Sequence, residues 1–97
     1  MKAMKAVFVV EQGGVEQMIY DDFPEPEIGP TDVLVRVRAA SLNRRDIFTR
    51  EGSHGMRLQQ IPWVLGLEMA GEVAQVGDLV QGFKTGDRVL GQSIGGA

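Results

Sequence analysis

The sequence predicts a mainly β protein, a small and partly open barrel with one short helix. Residues 62–89 hold short apolar runs separated by glycines at intervals of four to six residues (Gly66, Gly71, Gly77, Gly82, Gly86). Glycine tolerates positive φ and lets two backbones approach closely, so this pattern indicates short strands with tight corners. A second observation is a stretch of alternating apolar and charged residues near the middle of the chain. Because there are 97 residues, we expect one domain with a thin core.

The first third of the chain predicts a hairpin followed by an extended connector. Met4 to Val10 is rich in β-branched and aromatic residues, and the turn signal Glu11 to Gly14 closes it. Val15 to Tyr20 is then expected to return as the second strand. Three prolines exclude a central strand or a helix in the segment that follows (Pro24, Pro26, Pro30).

The middle third predicts one strand and the single helix. Asp32 to Ser41 alternates, with valines 33, 35 and 37 expected on one face of a half-buried strand. The period changes in Asn43 to Gly52, where Asn43 is a suitable N-cap and Gly52 a suitable stop. Ile47 and Phe48 are expected to form the apolar side of this helix of one or two turns.

The last third predicts a surface loop and then strands. Ser53 to Ile61 has no periodicity, whereas Glu68 to Val76 is expected to be the longest strand. Lys84 to Asp87 has the composition of a tight turn before a strand at Arg88 to Leu90. Gly91 to Ala97 holds three glycines and is expected to fray.

Composition narrows the classes of function. The net charge of −3 with both signs interspersed argues against a nucleic-acid partner, which would need a concentrated basic face. No apolar run approaches the length of a membrane span, so no membrane partner is expected. The chain has no cysteine, which fits a cytoplasmic protein. Zinc catalysis needs three protein ligands, and with His54 as the one histidine, in a loop, we predict no metal site.

Three side chains have both a structural and a functional interpretation. Asn43 and Asp46 have the spacing of an ordinary helix cap, yet could also contact a ligand. Glu68 could be an outward-facing strand residue, or a buried carboxylate that needs hydrogen bonds or a cationic partner to stay charged. The basic cluster Arg44, Arg45 and Arg50 is expected to be a solvated helix face.

The segments DVLVRVRAASLNRRD and PWVLGLEMAGEV, with the ending GFKTGDRV, resemble the medium-chain dehydrogenase/reductase family. The zinc-dependent branch of that family has a Gly-His-Glu triplet, and this sequence has Gly66-Leu67-Glu68. It also has asparagine at position 43, where the zinc branch has a cysteine ligand. The resemblance is therefore to the zinc-independent, quinone-oxidoreductase-like branch, and it implies a GroES-like catalytic domain.

What the resemblance implies is an oxidoreductase that passes hydride from NADPH to a quinone or an α,β-unsaturated carbonyl. Asn43, Asp46 and Phe48 would lie on the cofactor side, with Asn43 beside the nicotinamide. Phe48 keeps an aromatic wall but lacks the hydroxyl of the family's tyrosine. Trp63, otherwise an ordinary core residue, and Glu68 are candidates for the substrate cleft. No catalytic residue is assigned.

Members of the family continue for over two hundred further residues, including a nucleotide-binding Rossmann domain. We therefore expect residues 1–97 to be a truncated GroES-like substrate domain that is inactive alone and takes a small-molecule substrate. The edge left by lost strands is expected to be covered by self-association or to remain mobile. The alternative is a non-catalytic GroES-like binding module, which would grip a partner through Met56 to Ile61.

Overall fold

The computed structural model describes residues 3–93 and confirms a mainly β chain with one short α-helix. The strands form two open three-stranded sheets, and the described residues contain no closed barrel. None of the helices in this range is both long and apolar enough to cross a bilayer. The elements are β1 (Ala3–Val9), a 3₁₀ turn (Val15–Gln17), β2 (Ile19–Pro24), β3 (Val33–Ala40), α1 (Arg44–Glu51), β4 (Trp63–Val64), β5 (Glu68–Val76) and β6 (Arg88–Gln92).

The chain divides into two compact units. The described part of the first comprises residues 3–25, 41–67 and 93, and the second comprises residues 26–40 and 68–92. In the first unit, β1 lies between β2 and β4 and is antiparallel to both. Val9 is fully buried opposite Trp63, which is 8% exposed. The core of this unit therefore lies where β1 meets the two-residue strand β4.

The predicted hairpin exists, but its second strand begins later than the sequence predicts. β2 begins at Ile19, because residues 15–17 form a 3₁₀ turn in which the amide of Gln17 donates to Gly14 O at 3.0 Å. The preceding turn is held to α1 by a bond from the amide of Gly13 to Arg50 O at 2.8 Å, so the chain cannot reverse directly after β1. Pro24 closes β2, a position that an edge strand tolerates.

In the second unit, β5 is central, with β3 and β6 antiparallel on either side. The bounds predicted for the longest strand, Glu68 to Val76, are confirmed. The expected face of three valines is wrong at its far end, because Val33 and Val35 are half-buried but Val37 is 55% exposed. The pairing register with β5 also shifts between Leu34 and Val35 and between Val37 and Ala39, which an alternating sequence pattern does not record.

Glycines serve two different purposes in this unit. A side chain on Gly71 would overlap the carbonyl oxygen of Arg36 on the neighbouring strand, so the glycine permits the close approach of β3 and β5. Gly86 has φ +95° in the predicted turn, where the amide of Asp87 donates to Lys84 O at 3.1 Å. The turn between β5 and β6 is therefore confirmed.

The predicted fraying does not begin at Gly91. Both Gly91 and Gln92 pair with β5 as the last residues of β6, because the antiparallel ladder continues opposite Met69 and Glu68. The remainder of that prediction, residues 94–97, lies outside the described residues.

Candidate functional site

The start of α1 is fixed by a capping box made by two of the predicted site residues. Asn43 has an extended backbone, and its Oδ1 accepts a hydrogen bond from the amide of Arg45 at 2.8 Å. Asp46 Oδ2 accepts in turn from the amide of Asn43 at 3.3 Å. Both side chains satisfy amide groups that a helix start would otherwise leave without partners. The structural interpretation of this pair is therefore confirmed, and it holds the pair in one orientation.

The far end of α1 is tied to the loops on either side of it. Gln12 Nε2 donates to Thr49 O at 2.9 Å and to Met56 O at 3.0 Å. Arg50 Nη1 donates to Gly13 O at 2.7 Å. Arg50 is thus partly buried, and the expectation that it belongs to a solvated basic face was wrong. These bonds span 37 and 44 residues of sequence, which is why the local pattern did not reveal them.

Phe48 and His54 stack on each other. Their ring centroids are 3.8 Å apart and the planes meet at 26°. His54 lies in the left-handed region with φ 56°, a conformation in which histidine is enriched, and its Nδ1 is 3.2 Å from Ser53 Oγ. The residue is exposed, as the loop prediction implied, but one of its ring faces is covered by the aromatic residue assigned to the cofactor wall.

The apolar side of the helix also differs from the prediction. Ile47 is 48% exposed, whereas Thr49 is buried, with its Oγ1 donating to Arg45 O at 2.8 Å. This bond to the preceding turn lets a polar side chain occupy an inward position, because its hydroxyl group is satisfied.

A small pocket of about 40 Å³ opens in the first unit, beside α1. Its wall continues to residue 93, where the amide of Ser93 donates to Leu67 O at 2.7 Å. Small-molecule sites usually measure about 300–1,000 Å³, so this pocket can receive only one end of a ligand. It is lined by Arg45, Asp46, Thr49, Met56, Arg57, Gln59, Trp63, Leu65, Gly66, Leu67 and Ser93.

The pocket brings together two of the five predicted site residues. Asp46 and Trp63 line it, although they are 17 positions apart in the sequence. Asn43 is the N-cap of α1 and Phe48 lies within the helix, but neither residue lines the pocket. Glu68 begins β5 in the second unit, where it is half-buried.

Two arginines are among the lining residues that sequence reasoning does not find. Arg45 was assigned to the solvated face, and Arg57 lies in a loop with no periodicity. Nothing in their spacing could have joined them, because the return of the loop toward α1 depends on the bonds from Gln12. Within residues 3–93, no group of three His, Cys, Asp or Glu side chains converges on a possible metal position.

The decisive comparison is with protein families. Residues 29–96 match the alcohol dehydrogenase GroES-like domain. The chain belongs to this family. That match covers the capped helix, the pocket residues that follow it and the whole of the second sheet, and it confirms the resemblance drawn from the sequence.

Individual relatives in this family are oxidoreductases. The chain is 39% identical over 90 residues to quinone oxidoreductase of Sus scrofa, covering 92% of this chain and 27% of the relative. It is 37% identical over 89 residues to a zinc-type alcohol dehydrogenase-like protein of Schizosaccharomyces pombe, covering 91% and 25%. The chain therefore spans about a quarter of the length of these relatives.

Solved structures give the same result. Quinone oxidoreductase of Pseudomonas syringae pv. tomato is similar with a TM-score of 0.85 and 40% identity, over 92% of this chain and 26% of that one. Escherichia coli quinone oxidoreductase, solved in complex with NADPH, gives a TM-score of 0.83 and 30% identity, over 93% and 27%. The family assignment thus extends from sequence to fold.

Proposed function

We propose that this chain forms the substrate side of a zinc-independent oxidoreductase that transfers hydride from NADPH to a quinone or an α,β-unsaturated carbonyl. The similarity to quinone oxidoreductases over more than 90% of the chain carries the proposal. In it, residues 1–97 act as the GroES-like substrate domain, and a Rossmann domain outside these residues holds most of the nucleotide. The chain alone would then bind weakly and would not turn over substrate.

On this proposal, the residues at the start of α1 face the cofactor. NADPH, when bound, supplies the hydride. Asn43 would hydrogen-bond to it through its amide, whose orientation is fixed because Oδ1 caps the helix. Asp46 acts by holding that cap, and Phe48 would offer an aromatic wall whose ring is positioned by the stack on His54. A rigid cap and a supported ring fit the task of positioning a cofactor, because little ordering is left to occur on binding.

The pocket would receive the part of the substrate next to the reacting carbon. Its apolar residues are Trp63, Met56, Leu65 and Leu67, and they would exclude water from that part of the substrate. Glu68, which is half-buried at the start of β5, is also proposed as a substrate-cleft residue. Phe48 has no hydroxyl group, so it is not proposed as a proton donor, and no residue of the chain is assigned that role.

The chemistry of the available donors supports the proposed zinc independence. The chain has no cysteine and one histidine, and that histidine stacks on Phe48 in the loop after α1. Leu67 and Asn43 stand where the zinc-dependent branch has its ligands, and neither supplies the thiolate or imidazole that catalytic zinc prefers.

The alternative of a non-catalytic binding module has less support in the loop that would grip the partner. Of the apolar residues between positions 56 and 61, Met56 and Leu58 are half-buried, and only Ile61 is clearly exposed, at 65%. Met56 also serves the pocket and accepts the bond from Gln12, so it is committed to the fold. We therefore favour the enzyme.

Two further parts of the proposal concern partners and location. The strand β6 is an edge of its sheet, with Leu90 84% exposed, and we propose that a second copy of the chain can pair along it. Sedimentation velocity at increasing concentration tests this, and a monomer at all concentrations would contradict it. We also propose a cytoplasmic location, which the absence of cysteine fits.

An NMR titration of the ¹⁵N-labelled chain with NADPH tests the cofactor assignment. We expect the amide signals of residues 43–48 and the indole signal of Trp63 to shift at millimolar NADPH. Asn43→Ser is the matched variant, because serine caps helices as well as asparagine does but lacks the amide donors. Shifts that are unchanged in Asn43→Ser, or that fall only in the turn at residues 84–87, would contradict the assignment.

A further inference from the structure

Two guanidinium-bearing side chains line the pocket beside α1. Arg45 lies in the first turn of the helix, and Arg57 lies in the loop 12 positions later. Both residues are exposed. Among residues 3–93, the ion pairs are Lys5 with Asp22 and Arg38 with Glu72, so neither arginine of the pocket has a carboxylate partner there. Two unpaired cations thus flank one opening of about 40 Å³.

The acidic side chain of the lining does not cancel this charge. Asp46 Oδ2 accepts from the amide of Asn43 in the capping box and lies in the first turn of α1. Its single negative charge is partly directed at the positive end of the helix, and it can offset at most one of the two guanidinium groups. Arg45 and Arg57 therefore leave the pocket with an excess of positive charge that its own residues do not use.

The rest of the lining is largely apolar. Trp63 is 8% exposed, and Met56, Leu65 and Leu67 are half-buried around it. An apolar surface next to unpaired guanidinium groups suits a ligand with two different ends. A purely apolar ligand would leave the arginines without partners, and a small inorganic anion would leave the apolar side chains in contact with water.

We infer that this pocket binds an anionic group, a carboxylate or a phosphate, that is attached to an apolar body. Guanidinium groups pair with both anions through parallel hydrogen bonds, which neutral carbonyl compounds cannot match. Binding of such an anion does not depend on the proposed function. The further statement that the ligand is a substrate does rest on it: in the oxidoreductase, the pocket selects carbonyl substrates that carry an acidic substituent. Arg45 and Arg57 are then specificity-determining residues.

Three probes separate the possible sources of the anion in NMR titrations of the ¹⁵N-labelled chain without NADPH. Benzoate has an apolar body and a carboxylate, benzamide has the same shape without the charge, and inorganic phosphate has the charge without the body. Ionic strength is held constant with sodium chloride, because exposed ion pairs are screened by salt. We expect benzoate to shift the amides of residues 45–49 and 56–59 and to bind at least about fivefold more tightly than benzamide.

Substitutions test the two arginines separately. Arg57→Gln and Arg45→Gln are each expected to weaken benzoate binding about fivefold and to leave benzamide binding unchanged, as an exposed ion pair allows. Arg44→Gln is the matched control, since Arg44 is an exposed neighbour on α1 outside the lining. The side chain of Arg57 makes no hydrogen bond to the described residues, so this variant is expected to keep the dispersed spectrum of the parent.

Three outcomes would overturn the inference. Equal affinity for benzoate and benzamide would make the pocket apolar only. Equal losses in Arg44→Gln and Arg57→Gln would mean that general surface charge attracts the anion. Phosphate binding more tightly than benzoate with the same arginine dependence would assign the pocket to a phosphate group, such as that of a cofactor, and remove the acidic substrate. These titrations contain no NADPH, so they measure binding of the anion independently of hydride transfer. A failure of the proposed function would therefore leave their results unchanged.

Discussion

Replacing Asn43 by alanine is expected to destabilise the first unit by about 1 kcal/mol, within a range of about 0.5–2 kcal/mol for the loss of an N-cap. The side chain accepts the bond from the amide of Arg45 at 2.8 Å, and alanine leaves that amide to water. For a chain of this size, about 1 kcal/mol lowers Tm by about 4–8 °C. Asn43→Ser retains a capping oxygen and is expected to stay within about 2 °C of the parent.

Asp46→Ala tests the other half of the capping box. It removes the acceptor for the amide of Asn43, a bond of 3.3 Å, and is expected to cost slightly less than Asn43→Ala. Because the two bonds support one helix start, the double variant should show a coupling of about 0.5 kcal/mol or more. Independent losses would show that the box does not act as a unit.

The assay is urea and thermal unfolding followed by fluorescence. Trp63 is the single tryptophan, it is 8% exposed, and it belongs to the same unit as α1, so its emission reports the unit that is perturbed. Equal midpoints for the parent, Asn43→Ala and Asn43→Ser would refute the reasoning. A loss in Asn43→Ser as large as in Asn43→Ala would also refute it, because capping would then not be the cause.

Four other substitutions probe the packing within the two units. Gly71→Ala is expected to lower the free energy of unfolding by at least about 2 kcal/mol, because its methyl group would meet the backbone of the neighbouring strand. Gly91→Ala has open space and should lower it by less than about 1 kcal/mol, as measured by circular dichroism melting. Similar losses for the two variants would contradict the close approach of β3 and β5. Gln12→Ala should cost about 1–2 kcal/mol in urea unfolding, since two bonds are lost, and an unchanged midpoint would show that they do not hold the loop. In His54→Asn, asparagine tolerates the left-handed backbone, but the stack on Phe48 is lost. We expect the free energy of unfolding to fall by about 0.5–1 kcal/mol in thermal unfolding, and no change would show that the stack does not stabilise the fold.

The features that could be predicted from the sequence are those set by neighbouring residues. Asn43 and Gly52 bound the helix because capping and left-handed stops are local properties, and the structure has both, with φ +83° at Gly52. The longest strand was also predicted with its correct bounds, because glycines at positions 66 and 77 flank Glu68 to Val76, and glycine is a local marker of strand ends.

The features that could not be predicted depend on contacts between distant segments. The late start of β2 follows from the bond between Gly13 and Arg50, which are 37 residues apart. Neither the register shifts along β3 nor the exposure of Val37 is recorded in an alternating sequence pattern. Arg45 and Arg57 line the same pocket because the loop after α1 returns toward the helix, and no rule of sequence spacing predicts that return.

A chimera tests the central claim most directly. Residues 1–97 would replace the matching segment of Escherichia coli quinone oxidoreductase, a structure to which the chain is similar with a TM-score of 0.83. The measurement is the rate of NADPH oxidation with a quinone, with and without a zinc chelator. We predict turnover that the chelator does not change. A chimera that folds and binds NADPH but does not turn over, or that loses its activity to the chelator, would contradict the claim.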